Sequence, residues 1–169
     1  MQVIQHQELA SDQASITFSS IPQTFTDLYV VLSGRVTTTN GGLRIRVNGG
    51  TANLSTRLLY GNGSSAASGT DTTYVGTVTN SNQTANTFGS AGLYFTNYAG
   101  STTKSFSGDL VDETNATTAT QWLTAGLFNS TSAITAIEFF GDGAGNFVQF
   151  SSATLYGITK GSDGIVTVS

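Results

Sequence analysis

Apolar and polar residues alternate with a period of two along much of this chain. No stretch of ten or more residues carries a 3.6-residue amphipathic pattern. The cleanest alternation is Leu43-Arg-Ile-Arg-Val47, which predicts Leu43, Ile45 and Val47 facing a core and Arg44 and Arg46 facing out. Two runs on either side of Pro22, the sole proline, organise the chain. Ile16-Thr-Phe18 reads as a half-buried strand. Asp27 to Gly34 is dense in β-branched and aromatic residues and predicts a central strand covered on both faces. Pro22 fixes φ and has no N–H, so it marks the crossing from one strand into the next.

The same alternation predicts strands at Val3 to Leu9, Thr56 to Tyr60, Tyr74 to Val78, Ala91 to Tyr98, Lys104 to Val111, Gln121 to Phe128, Ala133 to Phe140 and Ala153 to Ile158. Asn146 to Phe150 leads into the last of these. Asn40-Gly41, within Val36 to Gly42, predicts a hairpin connection. Asn129-Ser-Thr131 and Asp142-Gly-Ala-Gly-Asn146 read as turns, and the low-complexity run 61–70 (GNGSSAASGT) as an exposed, flexible loop. Short strands spaced by roughly 8–12 residues predict an all-β, antiparallel double-sheet sandwich of about eight to ten strands. A single jelly-roll-like domain over residues 1–160 is expected, with an immunoglobulin-like sandwich as the alternative. The tail 161–169 is β-prone and is expected to pair with a neighbouring subunit.

Composition narrows the reading. At 169 residues the chain suits one well-filled core. Hydrophobic residues at 38% and aromatics at 10% exclude intrinsic disorder. Charged residues are 9%, against about a quarter in an ordinary soluble domain, so hydroxyl and amide groups must carry the surface. Such a surface suits broad contact with protein subunits or sugars. Net charge is −4, and Lys and Arg are scattered, so no nucleic-acid partner is expected. There is no cysteine to supply a disulfide or a thiolate. No apolar run is long enough to span a membrane, and no membrane partner is expected. The first residues show no basic segment followed by an apolar one, so synthesis in a cytoplasm without a secretory leader is expected.

Candidate chemistry is sparse. The single histidine, His6, reads as a partly exposed strand residue, and no G-x-S-x-G elbow accompanies it. Asp109, Asp112 and Glu113 cluster, and Glu138 faces away from the core, but their spacing defines no acid pair for glycoside hydrolysis. Asp142 to Asn146 lacks the full pattern of a Ca²⁺ loop. Gly61 to Gly69 has no lysine and no following helix to cradle phosphate. Trp122, Tyr60, Tyr74 and Tyr98 are the aromatics available to stack on a sugar, with core packing the simpler reading of Trp122. No catalytic residue, cofactor or metal site is assigned, and an enzyme is not expected.

Three stretches carry a resemblance: Ala14 to Arg35 (ASITFSSIPQTFTDLYVVLSGR), Ala91 to Ser105 (AGLYFTNYAGSTTKS) and Ser152 to Lys160 (SATLYGITK). They resemble a widespread group of small structural proteins of tailed bacteriophages. In that group S-x-x-F-S-x-I-P-Q-T-Y/F-x-D/H-L opens the domain and S-x-A-x-L-Y-G-I closes it. The resemblance runs in order from about residue 9 to 160. It implies a virion component: a capsid decoration or cement protein, or a domain of a head or tail fibre. Without a long stalk, the chain is expected to be a free-standing homotrimer on the outer head, partnered by the major capsid protein or other virion proteins. Inter-subunit contacts are expected from Met1 to Leu9 or Gly161 to Ser169. The alternative is a carbohydrate- or receptor-binding module of a tail or fibre, reading surface glycan through aromatics and the loops 61–70 and 112–119.

Overall fold

Period-two alternation becomes twelve β-strands in the computed structural model, which describes residues 1–115 and 119–160. They are β1 (Gln2–Glu8), β2 (Ser15–Phe18), β3 (Asp27–Gly34), β4 (Gly42–Val47), β5 (Leu54–Gly61) and β6 (Ala66–Asp71). Then come β7 (Tyr74–Thr77), β8 (Gly89–Phe95), β9 (Lys104–Val111), β10 (Gln121–Phe128), β11 (Ile137–Gly141) and β12 (Ser152–Ile158). The strands form two antiparallel sheets of unequal width. The large sheet runs β1-β12-β3-β8-β9-β10-β5-β6, and the small one β2-β11-β4-β7. The two-sheet antiparallel sandwich predicted from strand spacing is the observed architecture.

One contiguous core fills the space between the sheets. Ile16, Phe18, Leu43, Ile45, Val47, Ile137 and Phe139 come from the small sheet; Leu28, Val30, Leu32, Leu93, Phe95, Leu110 and Leu155 come from the large one. Each sits at every second position of its strand, as a sheet with one covered face requires. Pro22 lies where the chain leaves the small sheet after β2 and enters the large sheet at β3. Tyr98 anchors that corner by donating its hydroxyl proton to the Pro22 carbonyl. The glutamines of β1 also have a use. Gln5 and Gln7 donate to the carbonyls of Ser19 (2.7 Å) and Thr17 (2.6 Å), covering the open edge of β2.

Several expectations change. β3 is interior to its sheet but covered on one face only: Tyr29 is half-buried and Val31 is 40% exposed. A dense apolar run shows that a strand is buried somewhere, and the four-stranded sheet covers only the inner side. The run 61–70 is exposed but is not all loop. Ala66–Asp71 forms the edge strand β6, and only residues 62–65 turn the hairpin. Ladder hydrogen bonds use the backbone, so small residues suffice, and Asn62 fixes the turn by accepting from the N–H groups of Ser64 (3.1 Å) and Ser65 (2.9 Å). The connection at Asn40-Gly41 is not a hairpin; like the one at 129–131, it carries the chain from the large sheet to the small one. Residues 133–136 precede β11 rather than belonging to it, and residues 146–150 form no strand, with Phe147 making bridges to Gln13 and Val36. Met1 to Leu9 is not a free arm, because β1 pairs along its length with β12. The tail 161–169 lies outside the described residues.

Candidate functional site

With eight strands backed by four, nothing among the described residues covers the outer face of the large sheet. Register places its side chains in three rows that cross all eight strands. The first row reads Glu8, Ser152, Ser33, Ser90, Val111, Gln121, Gly61, Ala66 from β1 to β6. The second reads His6, Thr154, Val31, Gly92, Asp109, Leu123, Leu59, Ser68. The third reads Val3, Tyr156, Tyr29, Tyr94, Ser107, Ala125, Arg57, Thr70. Hydroxyl groups and small residues dominate, and the only cation in these rows is Arg57 on β5. The outer face of the small sheet is the charged one. There Arg46 pairs with Glu138 at 2.7 Å, and Arg44 bridges Asp71 (3.0 Å) and Asp142 (2.8 Å).

Two features stand out on the uncovered face. At the β10–β5 end, Leu59 and Leu123 are register partners, 51% and 49% exposed. They form the floor shared by a cleft of about 670 Å³, which reaches Tyr60, Val111, Glu113 and Gln121, and a shallower depression of about 380 Å³ beside Arg57 and Ala125. At the β12–β8 end, Tyr156, Tyr29 and Tyr94 stand side by side on three adjacent strands. The Tyr29 and Tyr94 rings lie 6.4 Å apart between centroids, at 51° to one another. The Tyr29 hydroxyl occupies the space that a Cβ on Gly92 would need, so this ring lies down across β8. Tyr94 is anchored by donating to Asp27 Oδ2 at 2.7 Å, while Asp27 Oδ1 accepts from the Asn97 N–H at 2.7 Å. That bond to a carboxylate, followed by burial, pushes the Tyr94 hydroxyl up to about 12.

The residues singled out from sequence are not gathered into one site. His6 is an exposed residue of β1, with Nδ1 2.8 Å from Thr154 Oγ1. Asp109 lies on the outer face of β9. Asp112 is buried, and its carboxylate is used by the fold: it accepts from the Thr120 N–H and hydroxyl, from Thr77 and from Gln83. Glu113 lines the cleft, and Glu138 belongs to the Arg46 pair on the other sheet. Asp142 holds Arg44, and its turn is a 3₁₀ segment. Among the described residues no group of three or more His, Cys, Asp or Glu side chains is placed to hold a metal ion. No helix among them is long and apolar enough to cross a membrane.

The aromatics named as sugar platforms serve other ends. Trp122 and Tyr98 are buried. Tyr60 stacks on Trp122 at 4.0 Å, and Tyr74 packs against Trp122 with the Arg44 guanidinium 5.4 Å from its ring. The tyrosines that do share an open face are Tyr29, Tyr94 and Tyr156. Each follows a leucine, and Leu28-Tyr29, Leu93-Tyr94 and Leu155-Tyr156 bury the leucine and turn the tyrosine outward, whereas Leu59-Tyr60 does the reverse, so the pair alone does not mark the row. No family model, no curated protein and no solved structure matches this chain.

Proposed function

We propose that this chain is a structural module of a tailed-phage virion, a capsid decoration or cement protein bound to the outer face of the head. In this reading it sits there as a homotrimer and ties together neighbouring subunits of the major capsid protein. Three features support the reading. The stretches that resemble phage structural proteins build three neighbouring strands of the large sheet and one of the small: Ser152 to Lys160 holds β12, Ala14 to Arg35 holds β3, the Pro22 corner and β2 of the small sheet, and Ala91 to Ser105 holds most of β8. The surface is poor in charge, which suits wide contact with other subunits. The observation that carries the docking surface is the in-register, half-exposed Leu59–Leu123 pair beside an open cleft, where a partner's apolar side chain can seat.

The test is rebinding of purified protein to heads lacking it, with the bound position read by electron microscopy. Even decoration of the head supports the reading, and label confined to the tail tip overturns it. Replacing both leucines, Leu59→Asp with Leu123→Asp, removes about 2–3 kcal/mol of apolar burial at the contact and weakens docking roughly a hundredfold. Docking unchanged by the double replacement removes this surface from the proposal.

A further inference from the structure

We propose that the row Tyr156–Tyr29–Tyr94 is a binding platform for a neutral glycan chain. This goes beyond the virion reading and does not rest on it. The three side chains project from adjacent strands β12, β3 and β8, so the row runs across the sheet for about 10 Å, two strand spacings. A linear row of rings matches a linear run of linked pyranoses. A compact cation would instead need rings closing around a point, and a row does not close.

The rings are positioned in advance. The hydroxyl end of Tyr29 lies over the bare backbone at Gly92, and the residue is half-buried. Tyr94 is tied through Asp27 to the Asn97 backbone. The 51° between Tyr29 and Tyr94 means that neither ring spends its face stacking on the other. Hydroxyl and carboxylate groups flank the row: Asp27, Thr154 and Asp109 stand at neighbouring outer positions and offer acceptors to sugar hydroxyls.

Charge selects among glycans. The outer positions of β12, β3, β8 and β9 carry Asp27 and Asp109 and no Lys or Arg. An anionic polysaccharide is repelled there, and a neutral one is not. The platform is also turned away from the leucine surface. β3 lies three strand steps from β10 and four from β5, and the ordinary twist of about 20–25° per step turns β3 roughly 60–100° from that pair.

The test is affinity electrophoresis of the whole chain through gels containing neutral polysaccharides (a β-glucan, a galactan and a mannan), with alginate as the acidic control. Calorimetry with oligosaccharides of the retarding polymer follows. The expected result is retardation by at least one neutral polymer and none by alginate. Tyr29→Ala and Tyr156→Ala should each weaken binding about tenfold or more, and Tyr29→Phe should retain it, because the ring and not the hydroxyl stacks. Gly92→Ala pushes the Tyr29 ring off β8 without removing it and should weaken binding with the thermal transition nearly unchanged; it serves if an alanine variant fails to fold. Absence of retardation by every neutral polymer overturns the proposal. So does binding that survives both Tyr156→Ala and Gly92→Ala. Either failure leaves docking at Leu59 and Leu123 standing.

Discussion

Phe106 on β9 lies across Gly126 on β10, its register partner, so closely that a Cβ at Gly126 would overlap the ring carbons. On the other side the ring stacks on Phe95 of β8, with 5.0 Å between centroids and 27° between planes. Three interior strands are thus joined on the core side by two phenyl rings and a vacant side-chain position. Gly126→Ala fills that position and forces Phe106 out of its place. The expected cost is about 2–3 kcal/mol, lowering the thermal midpoint by about 5–10 °C, measured by calorimetry. A midpoint within a degree of the parent would mean that the ring moves freely and the packing account is wrong.

Lys104 is buried at the start of β9, and its ammonium group donates to three main-chain carbonyls: Thr102 (2.7 Å), Ser132 (2.7 Å) and Ser130 (3.3 Å). These carbonyls belong to the two connections that follow β8 and β10, so one side chain fastens both. Lys104→Met keeps the stem and removes the donors, leaving carbonyls at the sheet end without partners. Destabilisation of about 2–4 kcal/mol is expected in denaturant titration. Faster amide exchange should be confined at first to residues 96–103 and 129–136. Uniform exchange with unchanged stability would show that water replaces the ammonium at little cost.

Two tyrosines should ionise late. The bond to Asp27 pushes Tyr94 up to about 12, and burial does the same for Tyr74. An unfolded tyrosine titrates near 10. A raised value means that the folded form holds its proton longer, so this stability is complete below pH ~10 and is lost as pH rises through about 12. Asp27→Asn removes the carboxylate beside Tyr94. In a spectrophotometric titration, one tyrosine should then move from the late fraction toward the ordinary one. A late fraction of unchanged size would dissociate Asp27 from the shift.

Much of this fold is legible in the sequence because period two is a local property. Leu43, Ile45 and Val47 announce their inward face, and β9 and β10 begin and end where the expected strands do. What period two does not carry is the partition of strands between sheets. It also does not say which of two faces a neighbour covers. Asp27 to Gly34 reads as covered twice because its outer residues include Tyr29 and Val31, and only the width of the opposing sheet decides otherwise. β6 escapes notice because Ala66 to Asp71 offers no apolar stripe, and its strand exists through ladder bonds to β5. The tyrosine row is the least legible feature. Residues 29, 94 and 156 are brought together by long-range register alone.

The strand order of the large sheet also sets the order in which the protein can be finished. β1 touches no strand of its sheet except β12, and β12 sits between β1 and β3. During synthesis β1 therefore waits for its ladder partner until β12 follows, some 150 residues later, with only the edge of β2 beside it before then. β3 meanwhile presents a bare edge, the state in which a nascent chain is open to mispairing with another copy. The ladder that joins β1, β12 and β3 is therefore complete only once Ile158 has emerged.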